Sequence, residues 1–344
     1  MEADMRKFNV AIVGAMGAVG AEMIKTLEQR GFPVSELIPL DLESRAGIQI
    51  WFRGSPVSVL PTRPGCFKEA DIALFSAGGE ASLKLAPMAV QEGAVVIDNS
   101  SAWRMDPEVP LVIPEVNPHA LDHHKGIIAN PNCSTIQMLV AVKPIHEEFR
   151  IQRIVVSTYQ AVSGTGAPAI EELTTQAWAF AAGSPIKATV YPRQILFNAL
   201  PHIDTFLANG YTKEEMKMVN ETQKILDPAI QVCPTAVRIP VFRGHSEAVN
   251  VQTRRPFDLA TVRKLLERAP GVKVMDDPER GVYPTALDSD GQDAVYVGRL
   301  RLDPTVPNGL NMWVVSDNLR KGAALNAVQI AEVLVQKGFR GRRG

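Results

Sequence analysis

Residues 8–31, FNVAIVGAMGAVGAEMIKTLEQRG, limit the fold more than any other stretch of the chain. An apolar run that stops at a glycine is followed by apolar positions at Val19, Met23, Ile24 and Leu27 and a closing Gly31, which reads as buried strand, tight turn and helix. In such a turn glycines let the backbone come close to a pyrophosphate seated on the amide groups of the helix N-terminus. Gly14, Met16, Gly17, Ala18 and Val19 are therefore candidate cofactor contacts. The loop GAMGAVG departs from the commonest G-x-G-x-x-G spacing, so a Gly-rich turn without a ligand is the competing reading.

Further buried strands follow at SELIPLD, DIALFSAG, VVIDNS and GIIANP, with ASLKLAPMAVQEG a helix between two of them. Apolar strands alternating with helices indicate a parallel, doubly wound sheet covered on both faces. Beyond residue 130 the pattern changes to longer, partly alternating runs: RIVVSTYQAVS, QVCPTAVRIPV, SEAVNVQT, AVYVGRLRLD and LNMWVVSD. These predict a mostly antiparallel sheet, with helices at STIQMLVAVKPIHEEF, AIEELTTQAWAFAAG, TKEEMKMVNETQKIL and DLATVRKLLERA. The expected class is α/β: a Rossmann-type parallel-sheet domain over 1–130, completed by a C-terminal helix over 318–344, and an α+β catalytic, substrate and dimerisation domain over 131–317. LRKGAALNAVQIAEVLVQKGF is expected as one long amphipathic helix that closes the chain.

The charge balance, 36 Lys and Arg against 37 Asp and Glu, gives no electrostatic reason to expect nucleic acid or an anionic membrane as partner. The basic end FRGRRG is the local exception and reads as a solvated tail. The N-terminus mixes charges of both signs without the apolar core of a signal peptide, and no apolar run approaches a membrane span, so a cytoplasmic location is expected. Cys66, Cys133 and Cys233 are odd in number and far apart, which argues against a disulfide framework and against a structural zinc site.

Two further segments bear on the cofactor. Asp41 ends the second strand, where a carboxylate accepts from a ribose 2′-hydroxyl and favours NAD; Ser44 and Arg45 follow, and a guanidinium there suits the extra phosphate of NADP. Ser76, Ala77 and Gly78, in SAGG after the strand DIALF, are small enough to line the same groove or to form a plain turn.

In NPNCST, Pro131 precedes a helical periodicity at Ile136, Leu139 and Val140, which puts Cys133 at or beside a helix N-terminus. That location favours the thiolate, and the orphan N–H groups of the first turn are candidate donors to an oxyanion. Most free cysteines, by contrast, are small buried hydrophobes. Arg238 lies inside the apolar strand AVRIPV, where a buried guanidinium needs an anionic partner. Glu214 and Lys217 share one helix face, continued by Glu221 and Lys224, a stripe that normally marks a solvated, ion-paired surface.

Taken together, GAMGAVG, SAGG, VVIDNSSAWRM, IPEVNP, NPNCST, TYQAVSGTG, EEMKMVNETQKI, RIPVFRGHSEAV and VSDNLRKGAALNAVQIAE resemble, in order, the successive signatures of the aspartate-semialdehyde dehydrogenase family. The resemblance runs over nearly the whole chain and implies phosphate-dependent oxidation of aspartate 4-semialdehyde to aspartyl 4-phosphate with NADP, run in reverse in biosynthesis. It implies that Cys133 is the acylated nucleophile, His245 the acid/base and Gln160 the group that orients the substrate carbonyl or the sulfur. By the same resemblance Arg104, Asn132 and Lys217 hold inorganic phosphate, Arg238 the substrate α-carboxylate and Glu214 its ammonium. Ser163 and Gly164 would touch the cofactor, and Asn318 would reach the nicotinamide carboxamide. A homodimer built through the second domain is implied, with pairing into a tetramer as an option.

Two departures touch the cofactor. The family usually has threonine where Met16 stands, and Ser-x-Arg-Ser-Ala-Gly where this chain reads LESRAG with Ser44 and Arg45 in swapped order. NADP is the expected cofactor, with NAD the alternative. The rival readings are N-acetyl-γ-glutamyl-phosphate reductase, which has no free substrate amine to meet Glu214, and a catalytically silent homologue acting as an oligomeric binding partner.

Overall fold

The structure, a computed structural model, describes residues 6–341; the start of the charged N-terminus and the last residues of the basic tail lie outside the described residues. The chain divides into two compact units, Met1–Pro131 with Ala323–Gly344, and Asn132–Gly322.

In the first unit β1 (Phe8–Val13) leads through the Gly14 turn into α1 (Ala18–Gln29) and β2 (Val34–Asp41). A hairpin of β3 (Gln49–Phe52) and β4 (Ser55–Ser58), the short β5 (Leu60–Pro61), β6 (Ile72–Phe75), α2 (Gly79–Gln91), β7 (Val95–Asp98) and β8 (Ile127–Ala129) follow. The sheet order is β5-β2-β1-β6-β7-β8, and every pairing is parallel. Because both faces are covered, successive residues of β1 enter different cores. Val10 and Ile12 pack with Met23 and Leu27 of α1 and with Ala327, Val328 and Ala331 of the C-terminal helix. Ala11 and Val13 pack with Ala86 and Ala89 of α2.

The chain leaves β1 to one side for β2 and returns on the other side at β6, so the crevice of an open α/β sheet falls at the carboxyl ends of β1 and β6. Gly14 (φ +82°) and Ser76 meet there: a Cβ on Gly14 would stand 2.6 Å from the Ser76 carbonyl oxygen. A Cβ on Gly20 would stand 2.1 Å from the Gly14 oxygen, so the first turn of α1 can press on the loop only because residue 20 has no side chain. The β3–β4 hairpin was not legible as strands, since Pro56 interrupts the pattern. Arg53 (φ 50°) and Gly54 (φ 74°) both occupy the left-handed region that a two-residue turn with the twist of a hairpin demands.

The second unit contains α3 (Cys133–Phe149), β9 (Ile151–Gln160), α4 (Ala167–Ala181), α5 (Lys213–Ile225), β10 (Gln231–Arg238), β11 (His245–Thr253), α6 (Leu259–Arg268), β12 (Val272–Val274), α7 (Ala286–Ser289), β13 (Val295–Asp303) and β14 (Gly309–Ser316). Its sheet runs β10-β9-β11-β14-β13-β12. The central pairings are antiparallel and only the outer ones, β10 on β9 and β12 on β13, are parallel. Helix α3 packs on the face to which His245, Glu247, Val249 and Val251 point, while Ser246 and Ala248 look out on the other side.

The end of the chain differs from the single amphipathic helix expected. A π-helical turn at Arg320–Ala324 precedes the C-terminal helix Leu325–Gln336. That helix buries Leu325, Asn326, Ala327, Val328, Ile330, Ala331 and Leu334, more than one stripe, and the Asn326 amide is met by the Val112 carbonyl (3.0 Å) and Asn130 Oδ1 (2.6 Å). Residues 318–322 group with the second unit, and only Ala323 onward with the first. Among the described residues no helix is long and apolar enough to cross a membrane.

Candidate active site

Cys133 is the first residue of α3, at the positive end of the helix dipole. Asn132 is the N-cap: its Oδ1 accepts from Ser134 N (3.0 Å) and Thr135 N (3.3 Å), and its own carbonyl accepts from Ile136 N (2.9 Å). An asparagine cap of this kind stabilises a helix by about 1 kcal/mol. It also takes up the Ser134 and Thr135 amides, two of those expected to serve an oxyanion. Over the sulfur-bearing carbon lies the Gly322 backbone, and a Cβ there would stand 2.8 Å from Cys133 Cβ.

The cap is itself held from α5. Asn132 Nδ2 donates to Glu214 Oε1 (2.9 Å) and Asn132 N to Glu221 Oε2 (2.7 Å). The same Glu214 oxygen accepts from Gln160 Nε2 (3.2 Å), and Lys217 Nζ lies 3.0 Å from the other oxygen and 2.9 Å from Asp204. Burial alone would raise the Glu214 pKa. The Lys217 charge and the Asn132 and Gln160 amides outweigh it and hold the carboxyl below its ordinary value, so it is ionised. Glu221 is buried as well, 1% exposed, contrary to the solvated stripe expected of α5. Two of the three Lys217 ammonium protons go to carboxylates, which leaves one for an anion.

Gln160 ends β9, and the next residue, Ala161, joins the other half of the site. Its N–H donates to His245 Nδ1 (3.0 Å) and its carbonyl accepts from Arg238 Nη1 (2.7 Å). With Nδ1 an acceptor, the neutral His245 ring carries its proton on Nε2, which is buried and has no partner. Burial first, and then the Arg238 charge, push the ring's pKa well below its ordinary value. Arg238 is 4% exposed, its Nε is unpartnered, and among the described residues its guanidinium makes one hydrogen bond, to the Ala161 carbonyl. Gly164 lies against both: a Cβ there would be 2.9 Å from Arg238 Nη1 and 3.3 Å from His245 Nε2.

The loop before His245 is clamped from the turn after β14. Asn318 Oδ1 accepts from Gly244 N (3.0 Å) and its Nδ2 donates to Ser163 Oγ (3.0 Å), while Asp317 takes the Arg243 guanidinium at 2.6 Å. Both ends of the Asn318 amide are thus engaged within the chain. Sequence reasoning missed Asp317, Ala161 and Gly322; the signals for the first two were a charge closing the run WVVSD and the position next to Gln160.

The remaining expected residues lie in the first unit. Gly14, Met16, Gly17, Ala18 and Val19 form the turn into α1, whose N-cap, Gly17, makes no side-chain cap, as suits a backbone cradle for a pyrophosphate. Ser76, Ala77 and Gly78 border the same crevice, and α2 likewise has a glycine, Gly78, as its N-cap. Asp41 Oδ2 accepts from Met16 N (2.9 Å) and Oδ1 from Leu42 N (2.8 Å), tying the end of β2 to the loop. Arg45, on a short 3-10 turn with Ser44, pairs with Asp41 at 3.2 Å. Arg104 is 7% exposed and donates to the Asn130 carbonyl (3.0 Å) and the Asn99 carbonyl (2.9 Å).

The glycine-rich turn after β1 in the first unit, and the cysteine, histidine and buried arginine in the second, are parts that suit a nicotinamide-dependent oxidoreductase. Residues 9–124 match the semialdehyde dehydrogenase NAD-binding domain and residues 142–321 the semialdehyde dehydrogenase dimerisation domain. The chain is 54% identical over 337 residues to aspartate-semialdehyde dehydrogenase of Aquifex aeolicus, covering 96% of this chain and 99% of that one. It is 55% identical over 335 residues to the enzyme of Shewanella violacea, covering 96% and 98%. Among solved structures, aspartate-semialdehyde dehydrogenase II of Vibrio cholerae in complex with ASA superposes with a TM-score of 0.95 at 51% identity, covering 97% of this chain and 99% of that one. The Candida albicans enzyme with NADP gives 0.76 at 25% identity, covering 97% and 100%. The chain belongs to the aspartate-semialdehyde dehydrogenase family.

Proposed function

We propose that the chain reduces L-aspartyl 4-phosphate to L-aspartate 4-semialdehyde with NADPH, releasing phosphate, and runs the phosphorylating oxidation in reverse, as a step in the biosynthesis of lysine, diaminopimelate, methionine and threonine. The observation that carries this reading is the unbroken chain of contacts Asn132, Glu214, Gln160, Ala161, His245, which starts at the residue before the nucleophile and ends at the candidate proton-bearing group.

Cys133 attacks the acyl carbon and phosphate leaves, giving a thioester on the sulfur. Arg238 receives the substrate α-carboxylate, the anion that its buried fork lacks. Glu214, kept ionised, faces the ammonium, and Lys217 with Arg104 and Asn132 receives the phosphate. His245 meets the oxygen of the tetrahedral adduct with its Nε2–H; taking a proton at Nε2 instead would need the other tautomer, whose Nδ1–H would oppose the Ala161 N–H. The Gly14–Val19 loop with Ser44, Arg45, Ser76, Ala77, Gly78, Ser163 and Gly164 would hold NADPH, which would supply the hydride that takes the thioester to the aldehyde and returns Cys133 as its thiolate. Arg45, half exposed beside Asp41, offsets that carboxylate's repulsion of a 2′-phosphate, which supports a site open to NADP. The reaction is set in the cytoplasm, the compartment in which a thiol nucleophile stays reduced.

Adding aspartate 4-semialdehyde and NADP gives NADPH formation that requires inorganic phosphate, at a rate above that with equal NAD. Phosphate-independent turnover would remove the acyl-phosphate assignment, and faster reduction of NAD would remove the cofactor assignment.

The second unit also supports a homodimer. On the sheet face opposite α3 a groove of about 1000 Å³ is lined by Phe242, Tyr283, Leu287, Met312 and Trp313 among others, and Leu287 is 85% exposed. With the match to a dimerisation domain, its proposed occupant is a second copy of this chain. Leu287→Asp raises the dimer dissociation constant by about 10²-fold, read by light scattering across a dilution series; an unchanged dimer would place the interface elsewhere.

A further inference from the structure

Strand β11 reads HSEAVNVQT, and its inward positions His245, Glu247, Val249 and Val251 are each 1% exposed or less. A carboxyl group among them is out of pattern, and neither of its oxygens has a hydrogen-bond partner. Burial pushes the Glu247 pKa well above the ordinary carboxylate value, and the one opposing influence is the neighbouring Gln137 amide, which approaches without completing a hydrogen bond. An ionised carboxylate so placed would bear the full cost of desolvation with no countercharge, so the group is a carboxylic acid with one O–H to donate.

Gln137 stands four residues, about one helical turn, beyond Cys133 on α3. Its Nε2 donates to the His245 carbonyl at 3.4 Å, and its Oε1 is buried with no donor. The acid lacks an acceptor and the amide oxygen lacks a donor, so each group has what the other needs.

We propose that Glu247 is a positioning residue: its carboxylic O–H bonds the Gln137 amide oxygen, and the bridge from Glu247 through Gln137 to the His245 carbonyl ties the strand that starts at His245 to the helix that starts at Cys133. Only the protonated acid, or an amide of the same shape, can complete this bridge. A carboxylate could accept from Gln137 Nε2 but would leave Oε1 facing oxygen, and an apolar side chain would leave Gln137 Oε1 buried and unmet. The bridge acts at the backbone of His245, on the ring's resting place, and touches neither substrate nor cofactor. This inference rests on the reading of Cys133 and His245 as the reacting pair.

Two kinds of readout test it. Infrared spectra of the full chain at about pH 8 contain the carbonyl band of a protonated carboxyl, and Glu247→Gln removes it. In turnover, Glu247→Gln stays near the parent, whereas Glu247→Leu lowers kcat by about 10²-fold with KM for the semialdehyde and the cofactor within about twofold. Gln137→Leu gives the same kcat loss and keeps the test alive if Glu247→Leu fails to fold, and the pair of substitutions together costs no more than either alone. A missing band, or a Glu247→Gln variant as slow as Glu247→Leu or Gln137→Leu, overturns the bridge. A protein that shows the band yet turns over no semialdehyde leaves the bridge standing and sinks the assignment of the reaction instead.

Discussion

Replacing Cys133 with alanine lowers phosphate-dependent cofactor reduction by about 10⁴-fold or more in kcat and leaves cofactor affinity unchanged. The sulfur is the only atom lost. Alanine keeps the Cβ that packs under Gly322, suits the first position of a helix, and leaves the Asn132 cap untouched. Stability should therefore stay within about 1 kcal/mol of the parent. Without the thiol no thioester can form, and phosphate displacement and hydride transfer can no longer be separated into two accessible steps. Mass spectrometry after quenching with aspartyl phosphate finds an acyl adduct on the Cys133 peptide of the parent and none in the variant. Substantial residual turnover in the variant would transfer the nucleophilic role to another group.

Replacing Arg238 with leucine lowers kcat/KM for the semialdehyde by about 10²- to 10³-fold, mainly through KM, since truncating one partner of a buried charge pair costs about 2–5 kcal/mol and each 1.4 kcal/mol is about tenfold. The free chain supports this size of effect: a guanidinium 4% exposed, with one hydrogen bond and an idle Nε, is waiting for an anion. Lysine in its place keeps the charge and loses the fork, so Arg238→Lys falls between leucine and the parent. Cofactor affinity is the control, because Arg238 lies outside the glycine loop. An unchanged KM in Arg238→Leu would mean that the substrate carboxylate binds elsewhere.

The parallel sheet was legible because its strands are uninterrupted apolar runs set between helices, and the glycine turn after β1 falls where the spacing put it. The β3–β4 hairpin was not, since its turn uses Arg53 in a left-handed conformation that arginine does not advertise. In the site, local chemistry was readable and tertiary chemistry was not. Cys133 at the start of α3 follows from periodicity, but the same reading assigned the first-turn amides to an oxyanion and overlooked that Asn132, the preferred kind of cap residue, would take those of Ser134 and Thr135. Glu221 looked like part of a wet stripe because the helix pattern cannot reveal that the Asn132 amide reaches across to it. Glu247 was passed over although an inward carboxyl in an alternating strand is itself a signal.

Ala161 holds Arg238 with its carbonyl and His245 with its amide hydrogen, so a single residue serves both the side chain proposed to select the substrate and the one proposed to meet the reacting oxygen. Efforts to re-aim the pocket at uncharged or longer aldehydes by altering Arg238 will also free that carbonyl and let the imidazole drift. Broader substrate range and loss of speed are then inherited together, and an engineer who wants the first without the second must supply a new anchor for the Ala161 carbonyl.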